Sequence, residues 1–164
     1  SFVAFYFFEH VQNRVIIFLN PEFDTSQIDL SLKAFKSGGF FGKGPGQGTL
    51  KQKIPDANTD FIFAVAGEEL GFIFCALIIL IILSIIVRFL LNLLTMKDPY
   101  LIIASVGLVC SFGLQSLINI FSSLSIIPTK GMTLPFISYG GSSMVSSAIL
   151  FGFLLSLTKN KIYE

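Results

Sequence analysis

A chain of 164 residues that is 53% hydrophobic and only 13% charged is too oily for a water-soluble domain, in which about a quarter of residues carry charge. A mean hydropathy of +0.79 and nineteen phenylalanines point to a membrane protein, although the absence of tryptophan removes the usual interfacial anchor. The net charge of +1 argues against a nucleic-acid surface, and no nucleic-acid partner is expected.

The chain opens with "SFVAFYFF", too short to cross a bilayer, and residues 1–8 read as the end of a transmembrane helix. Residues 9–60 form a long loop. Within it, "SQIDLSLKAFKSGG" places Ile28, Leu32 and Phe35 on one helical face and pairs Asp29 with Lys33, with Gly38 and Gly39 as the stop. This predicts a short amphipathic helix lying at the membrane surface, against the plainer reading of a packed loop helix. The following "GGFFGKGPGQGT" is one residue short of a phosphate loop and has Gly44 where Ser or Thr is required. It reads as a flexible glycine loop whose amides and Lys43 could meet an anionic headgroup.

In "PDANTDFIFAVAGEELGFIF" three of the four carboxylates, Asp60, Glu68 and Glu69, stand at the mouth of an apolar run. Asn58 or Thr59 is the expected N-cap, which puts Asp60 in the first helical turn, where the positive helix end favours an ionised acid. Residues 61–91 then read as one transmembrane helix and 92–99 as a short polar turn. A second span is expected over 100–127. Its "SFGLQSLINIFSS" aligns Ser111, Gln115, Asn119 and Ser122 as a polar stripe, which serves either helix packing or the wall of a headgroup path.

A turn over 128–135 carries Lys130, a cation suited to a diphosphate, between Pro128 and Pro135. The third span covers 136–157, with Ser142 or Ser143 as its cap and both as candidate substrate contacts, and 158–164 is a polar tail. Arg88, Lys97, Lys159 and Lys161 mark one side as cytoplasmic, which leaves the long loop outside. Cys75 and Cys110 lie in apolar runs without CxxC spacing or nearby histidine and read as buried small hydrophobes, so no metal site is expected from them.

Three stretches, "FLNPEFDTSQIDLSLKAFKSGGFFGKGPGQG", "PDANTDFIFAVAGEELG" and "PTKGMTLPFISYGGSS", together resemble the SEDS family (shape, elongation, division and sporulation proteins). The likeness covers essentially the whole chain and is nearest to the division branch. It implies an all-α integral membrane fold, the C-terminal part of a ten-helix polytopic bundle with a large extracytoplasmic loop. Residues 1–8 would then end the seventh helix, and the three spans would be the eighth to tenth.

The resemblance further implies a peptidoglycan glycosyltransferase in the bacterial inner membrane, at the division septum. It would polymerise lipid II beside a class B penicillin-binding protein and other division proteins, with membrane lipids around it. Asp60, in the stretch "NTDFIF", matches the family's essential aspartate, which is thought to take the proton from the attacking sugar hydroxyl. The departing diphosphate calls for cations, for which Arg14, Lys43 and Lys130 are the candidates, with a divalent ion as the alternative. Gln115, Asn119, Ser142 and Ser143 join them as candidate substrate contacts. Asn58 stands where many members carry His, and it cannot carry a proton at neutral pH. Without the family's earlier helices the segment alone is not expected to catalyse. The competing readings are a lipid II flippase, which needs a polar path but no poised acid, and a non-catalytic division scaffold.

Overall fold

The structure is a computed structural model that describes residues 26–49, 57–127 and 131–159. Its helices are α1 (Ser26–Gly38), α2 (Ile62–Glu69), α3 (Gly71–Leu93), α4 (Pro99–Ser123) and α5 (Gly141–Lys159). Among the described residues there is no β-strand. Three helices, α3, α4 and α5 through Thr158, are long and apolar enough to cross a membrane. Large side chains such as Leu80, Leu83, Leu91, Ile103 and Phe153 stand exposed along them. So broad an apolar surface is tolerable in lipid and prohibitive in water.

The expected single span over 61–91 is two helices. The chain breaks at Leu70 and Gly71, and Gly71 takes φ +81°. A Cβ there would fall on the backbone of Phe40, Phe41 and Gly42, so only glycine permits this crossing. The segment after α1 is not a loose glycine loop, because it is bonded to both sides of the break. On one side Lys43 N–H donates to Glu68 C=O (3.0 Å) and Gly44 N–H to Glu69 C=O (2.9 Å). On the other, Phe72 N–H donates to Gly39 C=O (2.9 Å) and Ile73 N–H to Phe40 C=O (3.3 Å).

The α1 helix is not a free surface amphipath either. It packs on α2 through Ser31, Ala34 and Gly38, all buried, and through Phe35. Leu32, from the face predicted to be apolar, is exposed. Small residues win the contact face because the helices approach closely. A Cβ on Gly38 would meet the Gly67 carbonyl, and one on Gly67 the Phe35 ring. Behind this contact Ala34, Ala57, Phe61, Ala64 and Val65 form one small core. Phe63, Cys75, Ile78, Ile120 and Leu134 form a second, which joins α2, α3 and α4.

The expected second span over 100–127 is α4, which has Pro99 in its first turn and closes sooner, at Ser123. Ser125 takes φ +62°, Ile126 N–H donates to Phe121 C=O (2.9 Å), and Ser125 N–H donates to Ser122 C=O (3.1 Å). This is a Schellman end with serine in the left-handed position that glycine usually fills. Phe151 on α5 meets Phe89 of α3, Phe112 of α4 and Phe136 edge-on, at centroid distances of 6.0, 5.0 and 5.0 Å. Cys75 is buried as expected, whereas Cys110 is exposed on α4, a position its apolar sequence neighbours do not reveal.

Candidate active site

Asp60 lies half-buried in the turn 57–60, ahead of α2 and not in its first helical turn. The residue that precedes the helix is Phe61, and no side chain caps it, so neither Asn58 nor Thr59 is the cap. A carbonyl begins a helix by accepting from the amide four residues on. The carbonyls of Asn58, Thr59 and Asp60 are engaged elsewhere. Tyr139 N–H donates to Asn58 C=O (2.9 Å), Ser138 Oγ to Thr59 C=O (2.6 Å), and Asn119 Nδ2 to Asp60 C=O (3.0 Å). Three successive carbonyls are thus held by residues 59 or more positions away.

The facing strip, residues 131–134, is held in part by two of the same residues, Asn119 and Ser138. Asn119 Nδ2 also donates to Met132 C=O (2.6 Å). One helical turn earlier on α4, Gln115 Nε2 donates to Thr133 C=O (3.1 Å). Thr133 Oγ1 shares a proton with Ser143 Oγ at 2.7 Å, and Ser138 Oγ accepts Leu134 N–H at 2.8 Å. Gly131 brings bare backbone up to the acid, since a Cβ there would sit 3.3 Å from Asp60 Oδ2.

The structure therefore gathers Asp60, Gln115, Asn119 and Ser143 around one turn. Ser142 is exposed in the first turn of α5 and makes no hydrogen bond to the cluster. The carbonyl of Gly140 accepts Met144 N–H (3.0 Å), so α5 starts after Gly140 and neither serine caps it. Lys43 lies at the opposite end of α2. Its Nζ is 3.0 Å from Oε1 of Glu68, a carboxylate with no exposed surface. Thr49 N–H (3.1 Å) reaches the same oxygen, and Gly46 N–H (2.9 Å) reaches Glu69 Oε2. Arg14 and Lys130 lie outside the described residues. Among the described residues no three His, Cys, Asp or Glu side chains stand together as a metal cluster.

An open groove of about 530 Å³, which Asp60 does not line, is bounded by Asn58, Ile62, Phe136, Ile137, Ser138, Tyr139, Gly140, Gly141 and Met144. Its lip includes Phe136 at φ +63°, a backbone conformation costly for an aromatic residue. Ser138 and Thr133 were not singled out in the sequence. Their only signal is position, as small hydroxyls in a segment bounded by proline and glycine.

A family model for the cell cycle proteins FtsW, RodA and SpoVE matches residues 1–163. The probable peptidoglycan glycosyltransferase FtsW of Caulobacter vibrioides is 46% identical over 159 residues, which cover 96% of this chain and 41% of that protein. Its counterpart in Trichlorobacter lovleyi is 40% identical over 152 residues, covering 88% and 39%. A solved structure on the structural coordination of polymerization and crosslinking by a peptidoglycan synthase complex contains a chain that matches in fold. Its TM-score is 0.72 at 22% identity, covering 99% of this chain and 46% of that one. The chain spans about two fifths of the length of these curated relatives. With an all-helical fold that corresponds to the C-terminal part of the polytopic SEDS bundle, the chain belongs to the FtsW/RodA/SpoVE family.

Proposed function

We propose that this chain carries the catalytic aspartate of a peptidoglycan glycosyltransferase that polymerises lipid II during cell division. The observation that supports it is the Asp60 turn, whose three consecutive carbonyls are each fixed by a donor from a distant segment. A general base needs that kind of placement, because proton transfer depends on reach within about 3 Å. The Asp60 carboxylate takes the proton from the acceptor sugar's 4-hydroxyl as that oxygen attacks the anomeric carbon of the donor. The anomeric C–O bond breaks, and the lipid diphosphate leaves with the bonding pair. The long loop and the Asp60 turn face the outside of the inner membrane, where a lipid-tethered substrate presents its sugars, and Arg14 and Lys130 supply charge to the leaving diphosphate. Lys43, whose charge Glu68 answers, serves the loop instead. A class B penicillin-binding protein crosslinks the product at the septum.

The names of the relatives support the same reaction class. The translocation reading is weaker, since Gln115 and Asn119, the most polar members of the stripe that would line a path, have their amides on main-chain carbonyls. The test places Asp60→Asn in a full-length family member carrying this segment and follows lipid II polymerisation and translocation in vesicles. Loss of polymer with intact insertion and translocation is expected. Undiminished polymer would overturn the proposal.

A further inference from the structure

Asn119 is a buried polar group of the membrane spans, and its chemistry is specific. The side chain is 1% exposed and sits on a helix apolar enough to cross a membrane. An amide is costly there unless its protons are taken. Nδ2 has two protons, and each goes to a main-chain carbonyl of a different segment, Asp60 at 3.0 Å and Met132 at 2.6 Å. One amide therefore ties the residue that bears the carboxylate to the strip that passes its carboxylate, where Gly131 stands against Asp60 Oδ2. Among the described residues Oδ1 of Asn119 accepts no hydrogen bond, so the side chain's engagement is wholly through its donors.

We infer that Asn119 is a positioning residue for Asp60, and that it sets the distance between the aspartate's backbone and the strip 131–133 rather than contacting substrate itself. This rests on the reading of Asp60 as the base and departs from the expectation that Asn119 binds substrate. Both bonds reach the backbone, so Asn119 holds the residue through its main chain and donates no proton to the carboxylate itself. Aspartate at position 119 nearly matches asparagine in shape but has no pair of protons to give. Glutamine has the protons and one methylene too many.

The experiment uses a full-length family member that carries this segment, in lipid vesicles, with Asn119→Ala, Asn119→Asp and Asn119→Gln beside Asp60→Asn. Initial rates of lipid II polymerisation are measured over substrate concentration and pH, with thermal unfolding of each variant as the check on folding. For folded Asn119→Ala and Asn119→Asp, kcat is expected to fall about 10- to 100-fold, the loss that a misplacement near 1 Å produces, with KM within about twofold. Asn119→Gln should recover part of that kcat. In the Asp60→Asn background Asn119→Ala should cost nothing further, because the group it positions is gone.

A substrate contact would instead raise KM with kcat held, and a purely structural residue would leave the kcat of the folded fraction as in wild type. Either result overturns the inference. Should Asn119→Ala fail to insert, the near-isosteric Asn119→Asp decides by the same criteria. Failure of the underlying reading is separately visible, since Asp60→Asn would then polymerise normally.

Discussion

Lys43 and Glu68 form an ion pair at 3.0 Å in which the carboxylate has no exposed surface and the ammonium side chain keeps 36% of its own. The pair fixes the glycine-rich segment to the end of α2, with Thr49 N–H and Oγ1 on the same oxygen at 3.1 and 3.4 Å.

Removing the cation alone takes the ion-pair partner from a buried carboxylate that keeps its hydrogen bonds from Thr49. Lys43→Met should therefore destabilise the folded protein by about 1–3 kcal/mol, below the cost for a fully buried pair because the lysine is partly solvated. Glu68→Gln should cost less, since a neutral amide oxygen still accepts from Thr49. The double variant should melt above Lys43→Met. Thermal unfolding in detergent reads all three, and a Lys43→Met protein that melts with wild type would show that the pair contributes nothing.

Ser125 offers a change in the opposite direction. It holds φ +62° at the end of α4, and its buried Oγ has no hydrogen-bond partner among the described residues. Ser125→Gly relieves the left-handed strain and removes the orphaned hydroxyl, so it should raise stability by about 1 kcal/mol. A lower melting temperature would contradict the assignment of this residue as the strained cap.

Ser138 is the double-sided bond of the site, donating to Thr59 C=O and accepting Leu134 N–H. Ser138→Ala removes the hydrogen bond that Leu134 N–H donates within the buried core and the one that Thr59 C=O accepts, at about 1–3 kcal/mol for the buried amide before relaxation. Amide exchange should rise at Leu134 and across the turn 57–60, and the polymerisation rate should fall with it. Unchanged exchange at these amides would show that the turn is held without the serine.

The spans were legible because their signal is additive over some twenty residues, and so was the stop of α1, since Gly39 takes the left-handed conformation that glycine there suggests. The break at Gly71 was not, because one glycine inside "EELGFIF" carries little weight against the apolar run around it. The contact face of α1 was misjudged for a related reason. Periodicity weighs hydrophobic bulk and favours Leu32, whereas close helix contact selects Ser31, Ala34 and Gly38. In the site, the polar stripe of α4 was visible, but the acceptors of Gln115 and Asn119 are main-chain carbonyls, which leave no mark in a sequence. The Lys43–Glu68 pair spans 25 positions, and nothing local to either residue announces the other.

The hydrogen bonds that straddle the bend at Gly71 turn it from a joint into a braced elbow. A lever about 12 Å long, the length of α2 at 1.5 Å per residue, separates that elbow from Asp60. Helices adjust their tilt to the thickness of the surrounding bilayer. A tilt of about 10° in α3, carried through a rigid elbow, would displace the far end of α2 by about 2 Å, enough to matter for proton transfer. On the proposed function lipid chain length would control the reaction, and polymerisation in vesicles of graded acyl length should show an optimum that flattens in Lys43→Met, where the main-chain bonds remain but the ion pair that fixes the same segment to α2 is lost. An equally sharp optimum in that variant would place any thickness sensitivity elsewhere in the bundle.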